Sequence, residues 1–218
     1  MLSHQKLLKK SISGFTRHDW PPLPGKTNHR DAGILVPILV DNNWTCILTR
    51  RTPHLRTHSK EICFPGGKPD PEDKNLQATA LREAKEELNL TGGKILTKLS
   101  SVPLYTSEFR LHPFLALFPD TITIIANPSE VADVLPIPIL SLLNLSFLDG
   151  TEFELEGKKY ISPIFIPSKV GLPIDQPIYG GTAHVLYETI TLVAQATGYE
   201  VPPLKATFDQ FPFVHTTS

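Results

Sequence analysis

Residues 66–90, GGKPDPEDKNLQATALREAKEELNL, restrict this chain more than any other stretch. Two glycines lead into a polar turn, and the turn leads into a helix. Ala78, Leu81, Ala84 and Leu88 recur at spacings of three and four, so one stripe of that helix is apolar and faces a core. Glu83, Glu86 and Glu87 fall within about one turn of each other, on roughly one face. Like charges so spaced oppose a helix by roughly 0.2–0.5 kcal/mol per pair, and carboxylates near a helix C-terminus also oppose its macrodipole. Two readings follow. The carboxylates form a solvated face partnered by Arg82 and Lys85, or they hold a hard divalent cation. Such a cation removes both penalties and shares its remaining positions with water and phosphate oxygens.

The flanks favour the cation. Gly67, Asp73, Arg82, Glu83, Glu86, Glu87 and a helix end follow the order of the Nudix box. The wider run of residues 47–90 resembles the coenzyme A pyrophosphatase branch of the Nudix hydrolases. The residues that carry this likeness are Leu48-Thr49-Arg50-Arg51, Leu55-Arg56-Thr57-His58, Phe64-Pro65-Gly66-Gly67 and Thr79 to Glu87. There are departures. Asp73 stands where the box has Glu, with eight residues between it and Arg82. Asn89 stands for Gly at a helix end that favours a left-handed residue, a place Asn also tolerates. Lys60-Glu61 replaces Gly-Gln, Glu108 replaces the Gly of Ser-Gly-Phe, and Tyr179 replaces a Trp. These changes bear on substrate more than on reaction.

The resemblance implies an α/β/α sandwich, a mixed β-sheet between helices. It implies hydrolysis of a nucleoside diphosphate linked to another group, with Mg2+ or Mn2+ held by Glu83, Glu86 and Glu87. The cations would neutralise the diphosphate and lower the pKa of water. Arg82 would orient a neighbouring carboxylate. Glu130, in Asn127-Pro128-Ser129-Glu130-Val131, is a further ligand or base in the family and a plain turn carboxylate otherwise; the base is Glu83 or Glu130. Arg50, Arg51, Arg56 and Lys60 read as a cationic loop suited to bidentate phosphate contacts, and Gly66 and Gly67 let the backbone come close to metal or phosphate. In the named branch, coenzyme A or its thioesters yield 3′-phosphoadenosine 5′-phosphate and 4′-phosphopantetheine. ADP-ribose, NADH or dinucleoside polyphosphates are the alternatives, and a non-catalytic nucleotide-binding module is the reading from another class. That module predicts eroded carboxylates, and all three are present.

With 218 residues, 40% of them hydrophobic, the chain can bury a full core. A net charge of −1 leaves no basic field for nucleic acid, so any attraction to an anionic substrate is local. No apolar run is long enough to span a bilayer. Cys46 and Cys63 read as small buried hydrophobes in a reducing, cytoplasmic setting. Residues 2–15 form an amphipathic helix candidate. No acid precedes Asp19, as in a mitochondrial presequence, but Arg17 is the sole arginine there, and a packed helix is the preferred reading. The sequence leaves open whether the chain acts alone or as a homodimer.

In order, residues 1–30 read as a helix and arm, 31–198 as the Nudix hydrolase domain, and 199–218 as a tail. Expected strands are Ala32–Val40 and Thr45–Thr49, paired across Asp41-Asn42-Asn43, then Ile62–Phe64, Lys94–Ser101, Phe114–Phe118 and Thr121–Ala126. Thr106–Pro113 matches the place of the family's substrate loop. A hairpin is expected around Glu156-Gly157-Lys158. A final helix is expected from Thr182, as cap, to a stop at Gly198.

Overall fold

The structure is a computed structural model and describes residues 2–53 and 61–208, with the side chains of residues 2–5 left out. The main sheet is built from β1 (Arg30–Val40), β2 (Thr45–Arg51), β3 (Ile62–Cys63), β4 (Gly66–Gly67), β5 (Lys94–Lys98), β6 (Val102–Pro103), β7 (Phe109–Pro119) and β8 (Val131–Pro138). The helices are α1 (Leu2–Ser13), α2 (Leu76–Leu88), the short α3 (Ile139–Leu143) and α4 (Pro167–Val170), and α5 (Gly180–Thr197). The central strand order is β3-β2-β1-β7-β5, with β4 on β1, β6 on β7 and β8 on β2. β1 and β7 run parallel in register from Arg30↔Phe109 to Val40↔Pro119, and the other pairs are antiparallel, so the sheet is mixed.

Burial explains why β1 is almost wholly apolar, ILVPILV. Strand side chains alternate faces, and here both faces are covered. Ile34, Val36 and Ile38 join one buried cluster, and Leu35 joins the other. β7 divides likewise, with Leu115 and Leu117 on one face and Phe114, Ala116 and Phe118 on the opposite face. Helix α2 seals the second face through Ala80, Ala84 and Leu88. The stripe at 78 and 81 is only partly buried; Thr79 and Glu87 turn inward instead. The first face is closed by α5, with Val185, Leu186, Ile190 and Val193 fully buried. The α/β/α sandwich expected from sequence is therefore present. α1 packs on α5 and buries Leu8 completely, as a packed N-terminal helix should. Among the described residues no helix is long and apolar enough to cross a membrane.

Four expectations are corrected. Thr121–Ala126 enters neither sheet. Instead the Ile125 N–H donates to the Leu88 carbonyl (3.0 Å) and the Asn127 N–H to that of Glu87 (2.8 Å), so the stretch serves the open end of α2. Its alternation is genuine, since Ile122, Ile124 and Ala126 pack on the core, but the Ile125 donor goes to a helix and the Ile122 donor to the Pro119 carbonyl. Phe109–Pro113 belongs to β7, which shortens the loop expected at 106–113 to residues 104–108. Thr182 does not cap α5. The helix begins three residues earlier than that cap implies, at Gly180 with Tyr179 at the cap position, and the Thr182 hydroxyl donates to the Ile62 carbonyl (3.2 Å). Finally, the stretch after Gly198 contains β11 (Leu204–Phe208). It runs parallel to β9 (Leu148–Leu155), whose other neighbour is β10 (Lys158–Ile164), completing a second, three-stranded sheet. The β9–β10 hairpin turns at Glu156-Gly157, as expected.

Candidate active site

The sequence builds the site from α2. Asn75 caps the helix by accepting from the Ala78 N–H (2.9 Å). At the other end Asn89 adopts a left-handed conformation (φ 54°), and the N–H groups of Asn89 and Leu90 reach the carbonyls of Lys85 and Ala84. Gly33 on β1 lets the helix approach: a methyl there would lie 2.2 Å from the Leu76 carbonyl oxygen. Gly67 lets a carboxylate approach, since a methyl there would lie 2.4 Å from Glu83 Oε1.

Helix geometry then sorts the three glutamates. At about 100° per residue, Glu87 lies about 40° from Glu83, while Glu86 lies about 60° to the other side of Glu83. Glu87 is 2% exposed, and Glu83 is half-buried. Glu86 points outward, its side chain 51% exposed, and bonds Arg82 Nη1 at 2.8 Å. The third carboxylate beside Glu83 and Glu87 is Glu130, and one ligand atom from each lies within 4.8 Å of the others. Glu130 comes from the turn after residues 121–126. Asn127 anchors that turn to the end of α2, accepts through its carbonyl from the Glu130 and Val131 N–H groups, and places its amide 3.3 Å from Glu130 Oε1.

Arg82 organises the outer side. Its Nε and Nη2 bond Asp73 (3.2 and 3.0 Å), its Nη1 lies 3.0 Å from Glu83 Oε1, and its Nη2 donates to the Lys68 carbonyl (3.1 Å). Asp73 is held down at about 2, chiefly by the Arg82 hydrogen bond.

The two adjacent arginines separate, because neighbours in a strand point to opposite faces. Arg51 turns to the carboxylates, with Nη1 3.6 Å from Glu87 Oε1. Arg50 turns away, with Nε 2.8 Å from Asp133 Oδ2 and Nη2 2.5 Å from Asp175 Oδ1. The structure brings Gly66, Gly67 and Arg51 to the site and ties Arg50 into a separate ion-pair cluster. Arg56 and Lys60 lie outside the described residues.

This cluster is electrostatically unfinished. Burial pushes Glu87 up to about 8; Arg51 opposes the rise, while Glu83 and Glu130 add to it. Burial also raises Glu83, against Arg82. One Glu87 oxygen is buried without a hydrogen-bond partner among the described residues. Two like charges about 5 Å apart repel by roughly 3 kcal/mol at an effective dielectric near 20. A divalent cation would meet the orphaned oxygen and offset the charge, so these residues fit one.

A consequence can be measured in chelator. The folded chain keeps a proton on Glu87 between about pH 4.5 and about 8, where the unfolded chain has released it. The metal-free protein should therefore be more stable near pH 5 and lose stability as pH rises toward 8. Thermal melts across that range, with and without Mn2+, should show the decline only without the cation.

These features carry a family assignment. The NUDIX domain model matches residues 29–150, and the chain belongs to the Nudix family of hydrolases. Among its relatives is the uncharacterised Nudix hydrolase NudL of Photorhabdus laumondii, 36% identical over 156 residues, which span 69% of this chain and 83% of that protein. The NudL of Yersinia enterocolitica is 39% identical over 161 residues, 72% of this chain and 83% of the relative. The NUDIX hydrolase structure from Alicyclobacillus acidocaldarius has a TM-score of 0.47 at 17% identity, covering 80% of this chain and 98% of that one.

Proposed function

We propose that the chain hydrolyses the diphosphate bond of a nucleoside diphosphate derivative, with coenzyme A and its thioesters as the first candidates. The observation that carries this is the convergence of Glu83, Glu87 and Glu130 to within 4.8 Å beside Arg51. Those three carboxylates would hold Mg2+ or Mn2+, and Glu86, exposed and bonded to Arg82, is available to a further cation. A divalent cation bound there supplies positive charge for the diphosphate and makes water more acidic.

The chain's own residues do the rest. Water adds to one phosphorus, the bridging P–O bond breaks, and the bridging oxygen leaves with the other phosphate. Glu83 or Glu130 takes the proton that water gives up; both are half-buried and within the cluster. Arg82 fixes the Glu83 carboxylate, and Asn127 fixes that of Glu130. Arg51, 25% exposed at its side chain, would receive a phosphate oxygen when Glu87 is otherwise neutralised. Arg56 and Lys60 would add charge from the adjacent loop. Arg50 would serve indirectly, by tying β2 to β8 and to the 173–177 loop through Asp133 and Asp175.

The test is turnover of coenzyme A, acetyl-coenzyme A, ADP-ribose, NADH and diadenosine polyphosphates with Mg2+ or Mn2+, with products read by mass spectrometry. Phosphopantetheine released fastest from the coenzyme A compounds is the expected result. Preference for another member of the panel would keep the reaction and change the substrate. No turnover of any compound would return the chain to the binding-module reading.

A further inference from the structure

The loop of residues 104–108, between β6 and β7, is clasped from behind by the arm of residues 23–29. Two side chains make the clasp. Asn28 is 3% exposed and adopts a left-handed backbone (φ 43°). Its Nδ2 lies 3.0 Å from the Leu104 carbonyl and 3.2 Å from those of Ser107 and Phe109, while its Oδ1 accepts from the Leu23 N–H (3.0 Å). Glu108 reaches in the opposite direction. Its Oε2 accepts from the Thr27 N–H (2.9 Å), the Thr27 hydroxyl (2.8 Å) and the Asn28 N–H (2.9 Å). Lys26 Nζ is 3.8 Å from its Oε1, and the Arg30 N–H donates to its backbone carbonyl (3.0 Å). An arm residue therefore holds the loop, and a loop residue holds the arm.

The clasped loop meets the site at its end. The Phe109 ring carries the Arg30 guanidinium 4.5 Å from its centroid and the Lys68 ammonium 5.6 Å from it. Lys68 follows Gly67, which lies against Glu83, and its carbonyl accepts from Arg82. Tyr105, 63% exposed, stands in the same loop. A shift of the loop would move Phe109 and Tyr105 relative to the carboxylates without touching a carboxylate.

We propose that Asn28 and Glu108 are positioning residues that lock the 104–108 loop beside the carboxylate cluster, so that the N-terminal arm sets which group beyond the diphosphate is accepted. This rests on the hydrolase reading above. The lock acts on the far part of the substrate, so its loss should appear in KM and in preference, not in the chemical step.

Steady-state kinetics over the same panel tests it, with wild type, Glu108→Ala, Asn28→Gly and Glu108→Gln. Glycine keeps the left-handed backbone and removes the amide; glutamine keeps an acceptor oxygen for Thr27 and Asn28. Glu108→Ala and Asn28→Gly should each raise KM for the best substrate about tenfold, hold kcat within about twofold, and narrow the preference across the panel. Glu108→Gln should return KM to within about threefold of wild type. The thermal shift on adding Mn2+ should match wild type in all three. Unchanged KM and preference in Asn28→Gly overturn the proposal even if Glu108→Ala does not fold, and so does a fall in kcat at constant KM. Wild-type protein that hydrolyses nothing in the panel would instead sink the hydrolase reading, and this proposal with it; wild-type activity alongside unchanged variants sinks the proposal alone.

Discussion

Replacing Glu87 by Gln is expected to abolish hydrolysis while leaving the chain folded. Glutamine is close in volume and fits a position that is 2% exposed, so packing changes little. What changes is charge. The buried carboxylate beside Glu83 and Glu130 is the least solvated of the three and the one with an oxygen unpartnered among the described residues. Removing an anionic ligand from such a site forfeits several kcal/mol of transition-state stabilisation, which is about 10³-fold in kcat or more. The same variant should gain where the wild type loses. Glu87 is pushed up to about 8 by burial, so in chelator at pH 8 the wild type must either hold a proton that its unfolded chain has released or bear a buried charge, and Glu87→Gln does neither. Its melting temperature in EDTA should exceed that of wild type at pH 8 and converge with it near pH 5, and added Mn2+ should raise it less. Turnover near the wild-type rate would remove Glu87 from the cation site; an equal loss of stability with pH would show that Glu87 is not the buried titrating group.

The second large effect is expected at Arg82. Its guanidinium bonds Asp73, Glu83, Glu86 and the Lys68 carbonyl at once. A lysine ammonium is one point of charge and cannot hold that fork. Arg82→Lys should lower kcat about 10–100-fold through a misaligned Glu83, by analogy with residues that orient metal ligands. Stability supplies an independent check. Asp73 lies at about 2 rather than 3.8 mainly because of its Arg82 hydrogen bond. A depressed carboxyl adds stability above its ordinary pKa and loses it as pH falls through the folded value. The wild type should thus be more stable than Arg82→Lys at pH 7, with the difference closing between pH 4 and pH 2. A constant difference down to pH 2 would place the effect elsewhere than in Asp73.

Features that lie along one helix or one strand are legible in the order of residues. The α2 segment declares its end at Asn89 and its acidic face, whereas the Asn75 cap and the approach over Gly33 are seen only in the fold. The run ILVPILV declares a strand, and the fold shows both of its faces covered. Where reading failed, a local pattern served a non-local partner. Residues 121–126 alternate like a strand, yet the N–H groups of Ile125 and of Asn127 just beyond answer the carbonyls at the end of α2. Thr182 looks like a cap, yet it bonds Ile62 on β3. Residues 204–208 carry no strong signal of their own and pair with β9 because the second sheet presents an open edge.

The chemistry divides along the same line. Spacing of three and four declares a helix with clustered carboxylates, and the resemblance of residues 47–90 to the Nudix box declares the hydrolase. Tertiary structure decided which carboxylates meet: Glu130 joins Glu83 and Glu87 from a turn more than forty residues away, while Glu86, adjacent to Glu87 in sequence, faces Arg82 and solvent. It also decided that Arg51 faces the cluster and Arg50 does not, since the pleat sends neighbouring side chains to opposite sides of the sheet. Spacing within an element is a property of the sequence; the side of an element that meets another is settled only when both are packed.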